Sequence, residues 1–350
     1  MLEAALWAVG ALVVLATLLP FIRRGWWWVR VCDFPRLQLF VLGLAVLAAL
    51  LVLGPGSAAD WLGIAVLTVT VLYQGYRILP YTPLWSVRAL PSRNPDPDRR
   101  LRLLIANVQV GNRSTEPLLN LVHATDPDVL LALETDGFWV DMLACLDARF
   151  AWRIKLPRDN AYGMLLLSKL ELRDAKVRYL MEENVPSIVA RMALRCGDEI
   201  DFYALHPRPP HAFQASTDRD AEILVVGREI RERSEPAIVA GDLNDVAWSH
   251  ITRLFRRLSD MLDPRIGRGL YATFNARRPL LRWPLDHIFF TEDFRVVGLE
   301  RMGFIGSDHF PILVELSYEP GLADEQEARV MAPDDRAMVR RKIRRARASS

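Results

Sequence analysis

The sequence has few cysteines and almost no net charge. Its 350 residues include three cysteines, Cys32, Cys145 and Cys196, which are far apart and form no CxxC pair. This spacing argues against a disulfide framework and against a structural zinc site. The net charge is +2, because 42 Asp and Glu nearly balance 44 Lys and Arg. The chain as a whole therefore lacks the basic excess that is typical of nucleic-acid-binding proteins.

Charged residues are also missing from long stretches of the N-terminal third. Residues 4–22 and 37–59 contain none, and residues 61–79 contain only Arg77. Each stretch is long enough, at about 1.5 Å per helical residue, to cross roughly 30 Å of hydrocarbon. We therefore predict a membrane anchor over residues 1–80, with transmembrane helices at 4–22, 37–57 and 61–79.

The residues at the ends of these stretches indicate whether the first stretch is cleaved and how the chain is oriented in the membrane. The first could be a signal peptide, but it has no basic n-region and no small-residue cleavage site, so a retained helix is favoured. Residues 23–36 contain three tryptophans and four arginines, whereas residues 54–60 contain no Lys or Arg. The positive-inside rule then predicts a multi-pass cell-membrane protein with a cytoplasmic C-terminal part. The abundance of Ala, Leu and Arg favours a bacterial source.

The composition changes after residue 80. Residues 81–99 contain four prolines, which predict a semi-rigid linker. From residue 100 to 318, short apolar runs alternate with turn signals and some helical periodicity, which predicts a separate folded domain. Residues 319–350 become acidic and then strongly basic. They are predicted to be a disordered tail, with binding to an anionic leaflet as the alternative.

Within the second domain, the apolar runs predict eight strands and three helices. The strands are Leu103–Val108, Val129–Leu133, Met164–Leu167, Ile188–Leu194, Ile200–Leu205, Ala237–Ala240, His287–Phe290 and Ile312–Leu316; the helices are Glu116–Ala124, Ala215–Arg233 and Trp248–Leu258.

Polar residues stand at the ends of these apolar runs, where a strand end can hold a side chain rigidly beside a cleft. They occur as Ala-Asn107-Val, Leu-Glu134-Thr, Leu-His206-Pro, Gly-Asp242-Leu-Asn244, Leu-Asp286-His-Ile and Ser-Asp308-His309-Phe-Pro. In this order and spacing the motifs resemble the endonuclease/exonuclease/phosphatase family over residues 101–318. The resemblance implies an α/β (α+β) fold, a four-layer αββα sandwich of two packed mixed sheets. It also implies phosphoester hydrolysis with a divalent metal.

The same residues suit a magnesium site. Carboxylates and an amide are the hard oxygen ligands that Mg²⁺ or Mn²⁺ prefers. Glu134 is the first candidate metal ligand, although a surface Glu at the start of a helix is the alternative. Asp308 and Asn107 are candidates to complete the shell.

The remaining polar residues have candidate catalytic roles. His309 is a candidate general base, with Asp286 accepting from its other ring nitrogen. Asp242 could polarise the attacking water, and which of Asp242 and His309 removes the proton is open. Asn244 and His206 are candidate donors to the phosphate. A further phosphate contact is predicted at Tyr162, which precedes a strand.

The predicted function is therefore a membrane-anchored, metal-dependent phosphoesterase. Its partners are the lipid bilayer and a phosphoester, lipid-linked or nucleic acid, and no protein partner is inferred. The membrane anchor favours a lipid-borne phosphate, because it holds the site close to lipids at high effective concentration. A membrane-tethered endonuclease or exonuclease is the alternative enzyme, and an inactive interaction module is the alternative outside enzymes.

Overall fold

The computed structural model of the protein describes residues 1–209, 215–326 and 331–349. Three helices are long and apolar enough to cross a membrane, Leu2–Ile22, Arg36–Leu53 and Ala58–Tyr81. They match the three predicted segments. The last of them starts with a capping box in which the Ser57 hydroxyl accepts from Asp60 N–H and the Asp60 carboxylate accepts from Ser57 N–H.

The described residues form nine α-helices and eleven strands. The helices are α1 (Leu2–Leu18), α2 (Trp27–Arg30), α3 (Arg36–Leu53), α4 (Ala58–Ile78), α5 (Glu116–Thr125), α6 (Gly137–Leu143), α7 (Thr217–Arg233), α8 (His250–Leu258) and α9 (Pro333–Ser349). The strands are β1 (Arg100–Asn107), β2 (Val129–Leu133), β3 (Trp152–Leu156), β4 (Met164–Ser168), β5 (Leu172–Arg178), β6 (Ser187–Ala193), β7 (Glu199–Leu205), β8 (Ala237–Asp242), β9 (Asp286–Phe290), β10 (Phe294–Arg301) and β11 (Ile312–Tyr318).

The strands form two mixed sheets. The first has the order β10-β11-β1-β2-β4-β3 and the second the order β5-β6-β7-β8-β9. In the first sheet only β1 and β2 are parallel, and in the second only β7 and β8 are parallel. The parallel pair lies at or near the middle of each sheet.

Alternation along the strands divides the core into layers. Leu103 and Ile105 of β1 face the second sheet and belong to the core between the two sheets. Leu104 and Ala106 face outward and pack with α5 and α6, while α7 and α8 cover the outer face of the second sheet. The four-layer αββα sandwich is thus confirmed.

The eight predicted strands are present, but β3, β5 and β10 have no predicted counterpart. These three strands are sheet edges, and β5 has the burial pattern of one buried residue followed by four exposed ones. An edge strand that is covered on only one side does not need a continuous apolar run. This is why apolar runs do not reveal it.

The two-sheet domain packs directly against the N-terminal part of the chain. Arg30, in the linker between α1 and α3, donates to both carboxylate oxygens of Asp245 at 3.1 and 3.0 Å. Tyr81 OH donates to Ala247 O at 2.6 Å, and Trp248 Nε1 donates to Asp33 O at 2.7 Å. The linker between the first two long apolar helices therefore packs against the two-sheet domain.

The C-terminal tail is folded where the structure describes it, so the prediction of a disordered tail is wrong for residues 331–349. Val339 and Ile343 of α9 pack against α7 and α8, and Arg257 donates to both oxygens of Asp335 at 2.7 and 3.0 Å. The apolar residues recur one helical turn apart within a strongly charged sequence. Residues 327–330 of the predicted tail lie outside the described residues.

Candidate active site

The site residues meet because the parallel strands end at one edge of each sheet. Asn107 ends β1 and Glu134 follows β2, while His206 follows β7 and Asp242 ends β8. Asp286 opens β9 and pairs directly with Asp242 in the antiparallel register. The carboxyl ends of parallel strands share one edge, so five predicted site residues converge there.

Two glycines permit this convergence. Gly241 has φ +141°, and a Cβ atom on it would lie 1.9 Å from Leu205 O, so only glycine fits between β7 and β8 just before Asp242. A Cβ atom on Gly163 would lie 1.7 Å from Thr135 O. This close approach brings the turn before β4 against the residue that follows Glu134.

The Asp286–His309–Asp242 group is the centre of the site. His309 Nδ1 lies 2.7 Å from Asp286 Oδ2, and its Nε2 lies 3.5 Å from Asp242 Oδ2. All three side chains are buried. The predicted pairing of His309 with Asp286 is present.

Burial and charge act in opposite directions on these groups. Burial disfavours the charged imidazole, but the Asp286 and Asp242 carboxylates outweigh it and raise the pKa of His309 to about 10. Burial also raises the pKa of the Asp242 carboxyl. Burial alone would raise the pKa of Asp286 too, but its hydrogen-bonded partner His309 holds it below the usual value. His309 therefore carries the proton of the group at neutral pH.

Asn107 joins this group to Glu134. Its amide nitrogen donates to Glu134 Oε1 at 2.9 Å and to Asp242 Oδ2 at 3.2 Å, and its amide oxygen accepts from Gln109 N–H at 3.0 Å. The Asn107 oxygen keeps a second lone pair. Asn107 therefore positions two carboxylates, and its direct ligation of a metal stays a prediction.

The donor set around Glu134 fits a divalent cation. Burial raises the pKa of Glu134, and the nearby Asp308 carboxylate adds to the rise. Among the residues described by the structure, no Lys or Arg forms an ion pair with Glu134, Asp308, Asp242 or Asp286. His309 balances only part of the charge of these four carboxylates, and the remaining negative charge suits a hard cation such as Mg²⁺. Among the residues that the structure describes, Asp242, Asp286 and His309 form the group whose ligand atoms all lie within 4.8 Å of one another, and Glu134 is not part of it.

His206 and Tyr162 form the opposite wall. Their rings lie 6.1 Å apart, nearly perpendicular. His206 is buried, and burial together with the charge of His309 lowers its pKa to about 4. Its Nδ1 has no hydrogen-bond partner among the described residues. His206 is therefore a neutral imidazole with a free ring nitrogen beside the cleft, which suits its predicted role as a phosphate contact.

Asn244, a predicted donor to the phosphate, is fixed in place by three hydrogen bonds. Its N–H donates to Asp242 Oδ1 at 2.8 Å, its amide nitrogen donates to Pro207 O at 3.0 Å, and its carbonyl accepts from Arg219 at 2.6 Å. The residue has φ +50°, so the loop turns back sharply after β8. Asn244 therefore ties the ends of β7 and β8 together.

Several residues near the site carried no sequence signal. Phe274 packs against His309 with ring centroids 4.9 Å apart, and Thr273 Oγ1 accepts from Asp286 N–H at 3.3 Å. Arg277 donates to Gln109 Oε1 and to Gly306 O. They come from a segment without regular strands or helices, residues 263–285, so no periodicity marks them.

With this geometry in hand, the sequence can be set beside known proteins. The model of the endonuclease/exonuclease/phosphatase family matches residues 104–309. The chain belongs to this family. The matched region runs from β1 to His309, so it includes all the candidate site residues. Members of the family typically hydrolyse phosphoester bonds.

Solved structures of the family share the fold. D. rerio TDP2 in complex with a single-strand DNA product is 17% identical, with 63% of this chain and 100% of that chain covered at a TM-score of 0.52. The family protein from Bacteroides vulgatus is 19% identical, covering 63% and 99% at a TM-score of 0.51. The one from Beutenbergia cavernae is 16% identical, covering 63% and 72% at 0.51. No curated protein shows significant similarity.

Proposed function

We propose that the protein is a membrane-anchored, metal-dependent phosphoesterase that hydrolyses a lipid-borne phosphate by in-line attack of water. The observation that carries this proposal is the buried Asp242, Asp286 and His309 group joined through Asn107 to Glu134. Membership of the family supports ester hydrolysis. A divalent cation held by Glu134 and Asp308 would neutralise charge on the phosphate.

The charges favour Asp242 as the group that accepts a proton from water. His309 is held between two carboxylates and keeps its proton, and a protonated imidazole has no free lone pair. Burial raises the pKa of Asp242, which brings it closer to the operating pH, where a general base is most effective. His309 then acts as a cation that stabilises the developing charge, oriented by Asp286.

The phosphate itself would be bound by neutral donors. His206, Asn244 and Tyr162 lie around the cleft, and the Tyr162 hydroxyl is hydrogen-bonded to Arg208. Donors aimed at the position where negative charge builds up are worth most when they are already held in place. Asn244 meets that condition through its contact with Pro207.

The position of the site relative to the anchor supports a substrate in the bilayer. A chain of aromatic contacts leads from the catalytic histidine to the start of α3. His309 contacts Phe274 at 4.9 Å, Phe274 stacks on Trp283 at 6.0 Å, and Trp283 meets Phe34 edge-on at 5.8 Å. Four rings thus span the distance from the active site to the membrane helix.

The loop that forms this wall also carries exposed apolar residues. Leu280 and Leu281 are 82% and 40% exposed, and Gln38, in the first turn of α3, donates to Leu280 O at 2.8 Å. A loop bonded to the first turn of a membrane-crossing helix lies at the level of the headgroups. Exposed leucines there would enter the bilayer, with Arg277 and Arg282 beside them to attract anionic headgroups.

The same geometry favours a cytoplasmic site. The arginine-rich linker 23–36 packs against the catalytic domain, so the positive-inside rule places both on the cytoplasmic side. A reporter fused after Ser350 tests this orientation. Fluorescence of a cytoplasmic reporter supports it, and alkaline-phosphatase activity of an exported one contradicts it.

The substrate can be tested with the full chain in vesicles. We expect Mg²⁺-dependent hydrolysis of a phosphoinositide or polyprenyl diphosphate in vesicles, and of soluble bis(p-nitrophenyl) phosphate, to disappear in Glu134→Gln and His309→Ala. Leu280→Ser with Leu281→Ser should lower the rate on vesicles several-fold and leave the soluble substrate unaffected. Leu322→Ser, an exposed leucine outside the loop, is the matched control.

The outcomes separate the alternatives. If the protein hydrolyses plasmid DNA in preference to the lipids, it is a membrane-tethered nuclease and not a lipid phosphoesterase. Absence of hydrolysis on every substrate would favour an inactive module. Equal loss on soluble and vesicle substrates in the leucine variant would mean that the loop shapes the active site and has no membrane role.

A further inference from the structure

A second polar cavity lies at the end of the first membrane helix, away from the catalytic residues. Its volume is about 430 Å³, and it is enclosed by the segment after α1, the first turn of α7 and the last turns of α9. Five cationic side chains line it: Arg23, Arg24, Arg341, Lys342 and Arg345. They come from opposite ends of the chain, so the cavity exists only in the folded protein.

Three of the five cations in this cavity have no ion pair with a carboxylate among the described residues. Lys342 pairs with Asp220 at 3.0 Å. In the parts of the chain that the structure describes, no carboxylate forms an ion pair with Arg23, Arg24 or Arg341. The neighbouring His250 is affected as well. Burial, followed by the charges of Arg23 and Lys342, lowers its pKa to about 3. Because like charges that lie close together repel one another, the grouping of Arg23, Arg24 and Arg341 favours a bound anion.

The start of α7 adds a second element suited to an anion. Ser216 precedes this helix and its side chain forms no capping hydrogen bond, since its hydroxyl donates to Gly25 O at 3.5 Å. Thr217 in the first turn lines the cavity. A Cβ atom on Gly25 would lie only 3.1 Å from Thr217 Oγ1, so the linker backbone and the helix start adjoin closely. N–H groups at the start of a helix attract phosphate oxygens, and this 17-residue helix also carries Asp218 and Asp220 in its first turn.

The place of the cavity indicates where the anion comes from. Arg23 follows directly after Leu2–Ile22, the first helix that could cross a membrane. Trp26 and Trp28 nearby are 42% and 41% exposed, as expected of an aromatic belt at the headgroup level. A cation-lined cavity at this depth faces phospholipid headgroups. We infer that it binds the phosphate of an anionic phospholipid of the surrounding bilayer, at a site separate from the catalytic one.

The simpler interpretation is that α9 carries solvated charge with no specific ligand. The helix itself supplies the control for it. Arg340 and Arg344 are exposed on the same helix and do not line the cavity, whereas Arg341 and Arg345 do. Two double variants with the same change in net charge therefore differ only in whether the cavity is altered.

Thermal unfolding of the full chain in dodecylmaltoside tests the inference. Dioleoylphosphatidylglycerol should raise the midpoint, because a ligand that binds only the folded state stabilises it, whereas dioleoylphosphatidylcholine and inorganic phosphate should not. Arg341→Gln with Arg345→Gln should weaken the apparent affinity for phosphatidylglycerol about tenfold or more, since two charge-assisted hydrogen bonds are lost. Arg340→Gln with Arg344→Gln should bind like the unaltered protein.

Three results would overturn it. An equal loss in both double variants would mean diffuse attraction by a basic helix. Equal stabilisation by inorganic phosphate would mean a soluble anion in place of the lipid. No stabilisation by phosphatidylglycerol in the unaltered protein would mean that the cavity has no lipid ligand.

Discussion

Asp242 and Asp245 lie three residues apart on one loop, and both are fully buried, yet their surroundings differ. Asp245 accepts two hydrogen bonds from Arg30 and others from Ser249 and Thr252. Asp242 accepts from the side-chain amide of Asn107 and the backbone N–H of Asn244, and within the described ranges its one ion-pair partner is His309.

The contrast extends to the groups around them. Arg30, Asp245 and Asp220 belong to a docking network of ion pairs between the linker and the two-sheet domain. In this network, Asp220 is paired with Arg219 and Lys342 and lies near Arg30. These cations outweigh the effect of burial and hold the pKa of Asp220 well below its usual value. On the Asp242 side, burial raises the pKa values of both Asp242 and Glu134. The chain neutralises one buried cluster with its own arginines and leaves the other open to an external cation.

Removing the Asp242 charge should have the largest effect on activity. We expect Asp242→Asn to lower kcat on bis(p-nitrophenyl) phosphate about a thousandfold, within the range for loss of a general base. The fold should be no less stable, because the variant removes a buried carboxylate whose pKa is already raised. Steady-state kinetics and the thermal midpoint measure both effects. Asp141→Asn, at an exposed position, is the control, and near-normal kcat in Asp242→Asn would contradict the assignment.

Breaking the docking network should instead reduce stability. Arg30→Ala leaves Asp245 buried without its main cation, and removing one partner of a buried ion pair costs about 3–5 kcal/mol. Urea or thermal unfolding in the same detergent measures this loss. Arg88→Ala, exposed in the segment after α4, should be close to neutral.

A matched rescue sharpens this prediction. Arg30→Met combined with Asp245→Asn removes both charges and should recover part of the lost stability. If Arg30→Ala is as stable as the unaltered protein, the contact between the anchor and the catalytic loop is not structural.

A third buried carboxylate predicts a smaller, pH-dependent effect. Glu222 on α7 is buried with one oxygen unpartnered, and burial, followed by the charge of Glu182, raises its pKa from 4.5 to about 8. In the unfolded chain the Glu222 carboxyl ionises near pH 4.5, whereas in the folded protein it stays protonated up to about pH 8. Glu222 therefore favours the folded state below pH 4.5, and this contribution to stability is lost as the pH rises towards 8. The slope is at most about 1.4 kcal/mol per pH unit.

The Glu222→Gln variant isolates this contribution. It cannot ionise, so its stability relative to the unaltered protein should increase between pH 5 and pH 8, as measured by thermal unfolding at both values. A difference in midpoint that is the same at both pH values would contradict the prediction.

The sequence revealed the parts of the site that have a local signal. Asn107, Glu134, His206 and Asp242 each follow a buried apolar run, and such runs are the central strands of the two sheets. The predicted core strands are present for the same reason. Polar ends of buried strands can therefore be read from a single sequence.

The parts that remained hidden depend on distant contacts. Arg30 and Asp245 are 215 positions apart, and nothing in the sequence of the linker indicates that it buries an arginine against the two-sheet domain. The edge strands and α9 are polar by composition, and only their partners explain why they are ordered. Pairing at such separation has no periodicity in sequence.

The central claim is that the carboxylate cluster around Glu134 is completed by a divalent cation. The most direct test measures the thermal midpoint of the full chain in detergent with EDTA and then with millimolar Mg²⁺. We expect Mg²⁺ to raise the midpoint of the unaltered protein and of Glu300→Gln, an exposed control, and to leave that of Glu134→Gln unchanged. Equal stabilisation of Glu134→Gln, or none in the unaltered protein, would contradict the claim.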